Sequence, residues 1–130
     1  MAVDLSAEDI QQQIASAIRA LRAAIRWKPG KGEQHLAKRK RRGHLSSDAT
    51  LAYYHGIIAA ILDNDSSRVY RYDFAEGVYG VVRGTSGTQE WVVIFGIDGI
   101  METAFPPKEP DEYVSRRKFE LLGVIEEVLT

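Results

Sequence analysis

The sequence predicts a single α+β domain, in which two N-terminal helices precede a four-stranded antiparallel meander and a C-terminal helix. Two observations carry this prediction. Up to about residue 62 the apolar side chains recur at helical spacing, whereas from Val69 onward the pattern has the period of two that strands show. Asp98-Gly99, between two apolar stretches, is a strong hairpin signal. The chain has 130 residues, 45% of them hydrophobic, which is enough for one core, so we expect one domain over residues 1–130.

The first helix is expected to begin near Ala7, because Ser6 followed by Asp9 resembles a capping box. Its apolar stripe recurs at helical spacing and consists of Ile10, Ile14, Ile18, Leu21 and Ile25. Pro29-Gly30 and Gly32 are expected to end this helix and open a flexible turn. The basic run over residues 38–42 is then predicted to be a loop, with Gly43 as its boundary.

A second helix is predicted through about Leu62, with Ser47 or Asp48 as its cap. One side of it consists of Leu51, Tyr54, His55, Ile58 and Leu62. Among such apolar neighbours, His55 is interpreted as a core histidine with a hydrogen-bond partner rather than as a catalytic group.

The four strands of the meander are predicted at residues 69–74, 78–83, 91–97 and 100–105. Pro106-Pro107 and Pro110 are expected to stop the sheet. A last helix, predicted over residues 111–129, would cover one sheet face with Val114, Leu121, Leu122, Ile125 and Val128.

The net charge of −1 conceals a strong asymmetry along the chain. Residues 1–44 carry ten Lys/Arg against four Asp/Glu, whereas residues 45–130 carry seven against fourteen. Such asymmetry suggests a face that binds polyanions. With no cysteine, the chain has no disulfide or thiolate site. It has no signal-peptide pattern and no apolar run long enough to span a bilayer, so we expect a cytoplasmic protein that does not bind membranes.

The basic run lies between two histidines, His35 and His44. Lys and Arg bind phosphates, and histidine suits proton transfer near neutral pH. Cleavage of RNA by its own 2′-hydroxyl needs a base, an acid and cations that stabilise the charge developing on phosphorus. Neighbouring cations lower the pKa of a histidine and favour its basic form. Arg71 and Arg83 would form a phosphate cleft if the two strands place them on one sheet face.

Two local patterns resemble the barnase/EndoU/colicin/RelE-like group of small RNases, in particular its phage- and toxin-associated branches. The first is His-x-x-Lys-Arg…Gly-His, from His35 to His44, ahead of a helix that contains Tyr53 or Tyr54. The second is the strand–turn–strand Trp-Val-Val-Ile-Phe…Gly-Ile-Met-Glu-Thr-Ala-Phe over residues 91–105. The resemblance covers about residues 33–107 and leaves residues 111–129 outside the pattern.

The resemblance implies a metal-independent, cofactor-free RNase or toxin-like nuclease that acts on RNA. By this resemblance, His35 or His44 would be the acid/base, and Thr103 would line the cleft. Arg83 and the basic run would hold phosphate, so the expected substrate-binding residues are Lys38, Arg39, Lys40, Arg41 and Arg42, joined by Arg71. A cognate inhibitor protein is a further expected partner.

Two other interpretations stay open at this point. A non-catalytic module could bind a polyanion or an acidic partner through the basic run and form a homo-oligomer through the tyrosine-rich sheet face. A degenerate nuclease-like domain could keep the fold and lack activity. The discriminating observation is spatial: an active site requires His35 or His44 within one water-bridged distance of Arg71, Arg83 or Thr103.

Overall fold

A computed structural model describes residues 6–130 of the chain. Its elements in chain order are α1 (Ala7–Ala23), α2 (Lys31–Arg41), α3 (Leu51–Asp63), β1 (Arg68–Phe74), β2 (Gly77–Ser86), β3 (Gln89–Gly96), β4 (Met101–Phe105), α4 (Pro110–Arg116), β5 (Glu120–Val124) and α5 (Ile125–Val128). The strands form one sheet in the order β4-β3-β2-β1-β5, and every neighbouring pair is antiparallel. The predicted α+β class and the meander are therefore confirmed. The helices and the C-terminal region differ from the prediction.

Helix α1 begins where the sequence predicts and ends earlier. Ser6 and Asp9 form a reciprocal capping box, and the stripe from Ile10 to Leu21 is buried. The helix ends at Ala23, not at Pro29, because the chain beyond it runs beside β4. There Met101 N–H donates a hydrogen bond of 2.8 Å to Arg26 C=O, and Trp27 forms a parallel bridge with Met101.

The expected basic loop is a helix, α2, and the loop prediction is wrong. Most of its side chains are straight-chain residues with high helix propensity, so the charge run does not oppose helix formation. Gly43 marks the boundary as expected, with a φ of +73°. His44 N–H bonds to Arg39 C=O and Gly43 N–H to Lys40 C=O, the Schellman pattern that ends a helix at a left-handed glycine.

The N-cap of helix α3 lies three residues after Ser47 and two residues after Asp48, the two predicted caps. The Thr50 hydroxyl accepts a hydrogen bond from Tyr53 N–H, so Thr50 is the cap in place of Ser47 or Asp48. The Asp48 carboxylate instead accepts a hydrogen bond from the Ser46 hydroxyl. The helix then runs to Asp63, one residue beyond the predicted end.

The predicted C-terminal helix over residues 111–129 is wrong. Short helix α4 is followed by strand β5, which pairs with β1, and by the single turn α5. Lys118 has a φ of +58° and Gly123 a φ of +141°, and neither value is compatible with a continuous α-helix. Pairing with β5 provides hydrogen-bond partners for the backbone groups at the outer edge of β1. The helical spacing of apolar residues in this segment does not indicate such a pairing.

The sheet has an apolar layer on each face, and strand alternation assigns residues to them. Val69, Val82 and Val93 pack against the helices α1 and α3 in the main core. Tyr70, Val81 and Val92 point to the other face, where Phe119, Tyr113 and Val114 cover them. Within residues 6–130, no helix is long and apolar enough to cross a membrane.

We predict that Gly80→Ala destabilises the fold, because β2 passes close to β3 at this glycine. A Cβ atom on Gly80 would lie 2.4 Å from Cε2 of Phe95 and 3.1 Å from Cγ2 of Ile14. Overpacking of this kind costs about 1–3 kcal/mol in the free energy of unfolding. The matched control is Gly56→Ala in α3, where nothing lies within 4 Å; it should stabilise by about 0.4–1 kcal/mol. Urea unfolding measures both, and equal stability of the two variants would contradict the close approach at Gly80.

Candidate functional site

A groove of about 720 Å³ lies between α2, the end of β4 and α4. One helix face supplies its first wall, because His35, Lys38, Arg39 and Arg42 stand at positions i, i+3, i+4 and i+7 of a helical stripe. Because the basic run is part of α2, its cations lie on different sides of the helix. Lys38, Arg39 and Arg42 face the groove, whereas Lys40 and Arg41 do not line it.

His35 and Thr103 meet in this groove. His35 Nδ1 lies 3.2 Å from Thr103 Oγ1, and both side chains are half-buried. His35 lines the groove, and its Nε2 makes no hydrogen bond within residues 6–130. Burial lowers the pKa of His35, and the charges of Arg39, Lys38 and Lys31 lower it further. The ring is consequently held in its neutral, basic form.

Thr103 is positioned by a buried contact between α3 and β4. The Tyr54 hydroxyl donates a hydrogen bond of 2.6 Å to Ala104 C=O and accepts one of 3.3 Å from Ala104 N–H. Burial raises the pKa of Tyr54 to about 12, so this hydroxyl keeps its proton at neutral pH. The backbone next to Thr103 is thereby fixed against the helix layer.

Arg39 is a buried cation that has no carboxylate partner within residues 6–130. The residue is 2% exposed, and its Nε is buried with no hydrogen-bond partner in the part of the chain that the structure describes. Nη1 lies 3.2 Å from Nδ1 of His44, and the guanidinium lies 5.3 Å from the centre of the Phe105 ring. Among the ion pairs of residues 6–130, none includes Arg39. Because a buried charge is normally paired, this arrangement favours binding of an anion.

The second wall adds more cations than carboxylates. This wall contributes Lys108, Arg116 and Arg117. In total, the groove is lined by six Lys or Arg side chains and by two carboxylates, Glu109 and Glu112. One ion pair forms between these lining residues: Nη1 of Arg116 lies 3.9 Å from Oε1 of Glu112. The groove is therefore strongly positive, although the whole chain has a net charge of −1.

A comparison with known proteins finds no matching family model, no similar curated protein and no similar solved structure. Within residues 6–130, no group of three or more His, Cys, Asp or Glu side chains is arranged to hold a metal ion. The chemistry of the groove therefore rests on the side chains that line it.

The structure brings together five of the residues that the sequence singled out, namely His35, Lys38, Arg39, Arg42 and Thr103. His44 does not line the groove, and it contacts the site only through Arg39. Burial lowers the pKa of His44, and the charges of Arg39 and Arg42 add to this effect. Its position fits a neutral acceptor for the Arg39 guanidinium.

Arg71 and Arg83 do not share a sheet face, so the condition for a cleft between them is not met. Arg71 has the same strand parity as Val69 on the helix side and pairs with Asp73 at 3.0 Å. Arg83 has the parity of Val81 on the opposite side. It donates hydrogen bonds of 2.9 Å to Glu90 and 2.8 Å to Asp111. Neither arginine lines the groove.

Sequence reasoning missed the aromatic and α4 side of the groove. Phe105 and Tyr113 line it with their ring centres 5.2 Å apart, edge to face. Because one long helix was expected over residues 111–129, the separate helix α4 was not predicted. Its position depends on the turn after β4. One signal was readable: His35, Lys38, Arg39 and Arg42 already have helical spacing in the sequence.

Proposed function

We propose that the groove binds single-stranded RNA and cleaves it through the ribose 2′-hydroxyl, with His35 as the general base. The observation that carries the proposal is the contact of His35 with Thr103 in a groove that also holds the Arg39 guanidinium, which makes no ion pair within residues 6–130. It supplies two requirements of the reaction in one place, a basic ring nitrogen and cations for the phosphate, together with a hydrogen-bonding partner that orients the ring.

In the proposed reaction, Nε2 of His35 takes the proton of the 2′-hydroxyl, whose oxygen then attacks the adjacent phosphorus. The bond from phosphorus to the 5′-oxygen breaks, and the products are a 2′,3′-cyclic phosphate and a free 5′-hydroxyl. Thr103 on Nδ1 holds the ring while Nε2 reacts. Arg39 stabilises the extra negative charge on the phosphoryl oxygens.

The leaving 5′-oxygen also needs a proton. Tyr113 lies on the α4 side of the groove, and burial raises its pKa, so the phenol keeps its proton at neutral pH. We assign it as the group that protonates the leaving oxygen. Together with Phe105 it also offers ring surface for an unstacked base, which is how single-stranded RNA is commonly held.

The proposal is tested with an oligoribonucleotide and a matched strand that carries one 2′-deoxyribose at the main cleavage position. The native chain should cut the first strand to a 2′,3′-cyclic end, leave the substituted bond intact and work equally well in EDTA. Cleavage of the deoxy-substituted bond would overturn the role of the 2′-hydroxyl. Loss of cleavage in EDTA would overturn a mechanism that relies on side chains alone.

Binding without cleavage would favour a second candidate, a polyanion-binding module. The surplus of groove cations supports it independently of His35. In that case the logarithm of the binding constant for an uncleavable strand should fall linearly with the logarithm of the salt concentration, with a slope of about −0.7 for each phosphate contacted. The absence of both cleavage and salt-dependent binding would remove RNA as the ligand.

A further inference from the structure

Trp27 lies outside the groove lining and packs directly behind His35. The two rings are stacked with centres 5.4 Å apart and planes 22° apart. The indole Nε1–H donates a hydrogen bond of 2.9 Å to Nε2 of His55 on α3. The indole is also stacked on Tyr54, with ring centres 5.9 Å apart. Besides its contact with His35, the indole is thus held by two residues of α3, Tyr54 and His55.

The surrounding backbone is shaped around this indole. Gly32 in α2 leaves space for the ring, since a Cβ there would lie 2.9 Å from Cδ1 of Trp27. The backbone of Trp27 bridges Met101, at the start of the strand that carries Thr103. One residue therefore contacts α2, α3 and β4, the three elements that determine where the two partners of the His35–Thr103 contact lie.

We propose that Trp27 is the positioning residue of His35: its stacked indole, held by His55, sets the plane of the imidazole so that Nδ1 meets Thr103 and Nε2 faces the groove. This inference rests on the proposed function for its catalytic meaning. The χ2 torsion of histidine is broad, so a half-buried ring needs a neighbouring surface to select one plane. Stacking supplies this surface, and the hydrogen bond to Thr103 alone leaves the ring free to tilt about it.

The test compares Trp27→Leu, which removes the aromatic surface, with Trp27→Phe, which keeps a ring. For Trp27→Leu we expect kcat for RNA cleavage to fall on the order of 10²-fold with KM nearly unchanged, as for a misplaced catalytic group. Trp27→Phe should recover a large part of this loss. Thermal unfolding establishes that both variants are folded at the assay temperature.

NMR titration of His35 gives a readout that does not depend on activity. In Trp27→Leu the His35 pKa should rise toward its ordinary value, because the ring loses the cover of the indole, and Trp27→Phe should lie between this variant and the native chain. An unchanged His35 pKa and an unchanged kcat in folded Trp27→Leu would overturn the proposal. If the native chain cleaves no RNA, the proposed function fails, whereas the titration still decides whether the indole of Trp27 packs on the His35 ring.

Discussion

Replacement of His35 by glutamine is expected to lower kcat for RNA cleavage by about 10²–10⁴-fold, the usual contribution of a general base. Glutamine can keep a hydrogen bond to Thr103, so the local structure should survive, but it cannot accept the proton of the 2′-hydroxyl. KM should change little, because the cations of the groove remain. Single-turnover cleavage of a labelled oligoribonucleotide measures the loss.

His44→Gln is the matched control for this variant. His44 is also flanked by basic residues, but it reaches the groove only through Arg39, so its replacement should cost far less in kcat. Equal losses in the two variants would contradict the assignment of His35 as the base. A His35→Gln variant that cleaves at the native rate would remove this histidine from the chemistry altogether.

The native pH profile provides an independent check of the same base. His35 must be deprotonated to accept a proton, so kcat/KM should rise with pH through the His35 pKa and level off above it. Burial and the neighbouring cations lower that pKa from 6.5, so the plateau should begin at a lower pH than for an ordinary histidine. This rising limb should be absent from whatever cleavage remains in His35→Gln.

Arg39→Met is expected to separate binding from stability. The loss of a charge-assisted hydrogen bond to phosphate costs about 1.5–3 kcal/mol, or roughly 10–150-fold in affinity. The free energy of unfolding should nevertheless stay level or rise by about 1 kcal/mol, because methionine removes a buried guanidinium whose Nε has no partner. Fluorescence anisotropy with a 2′-O-methyl strand and urea unfolding measure the two quantities.

Arg41→Met controls for the loss of one positive charge from the same helix. Arg41 is exposed and does not line the groove, so both affinity and stability should stay close to native values at physiological salt. A large drop in stability with native affinity in Arg39→Met would show that Arg39 holds the fold rather than a phosphate. An equal loss of affinity in both variants would indicate a diffuse electrostatic effect without a specific site.

Local signals predicted the parts of the fold that depend on near neighbours. The Ser6–Asp9 capping box, the buried stripe of α1, the alternation of β1 and the Asp98-Gly99 hairpin are each set by residues close in the chain. The prediction for the C-terminal region was wrong because its structure depends on residues that are distant in the chain. The residues around Gly123 pair with a strand some fifty positions earlier, and no local pattern records this partner.

The candidate site divides in the same way. Residue order alone shows that two histidines flank a cluster of cations, and it indicates His35, Arg39 and Thr103 as candidate site residues. Packing determines which of them meet. Helix α2 places His35 and Arg39 beside β4 with His44 behind Arg39, whereas Arg71 and Arg83 lie on opposite faces of the sheet. Residue type gives the chemistry of a side chain, whereas its distance from residues remote in the chain and its exposure to water depend on packing.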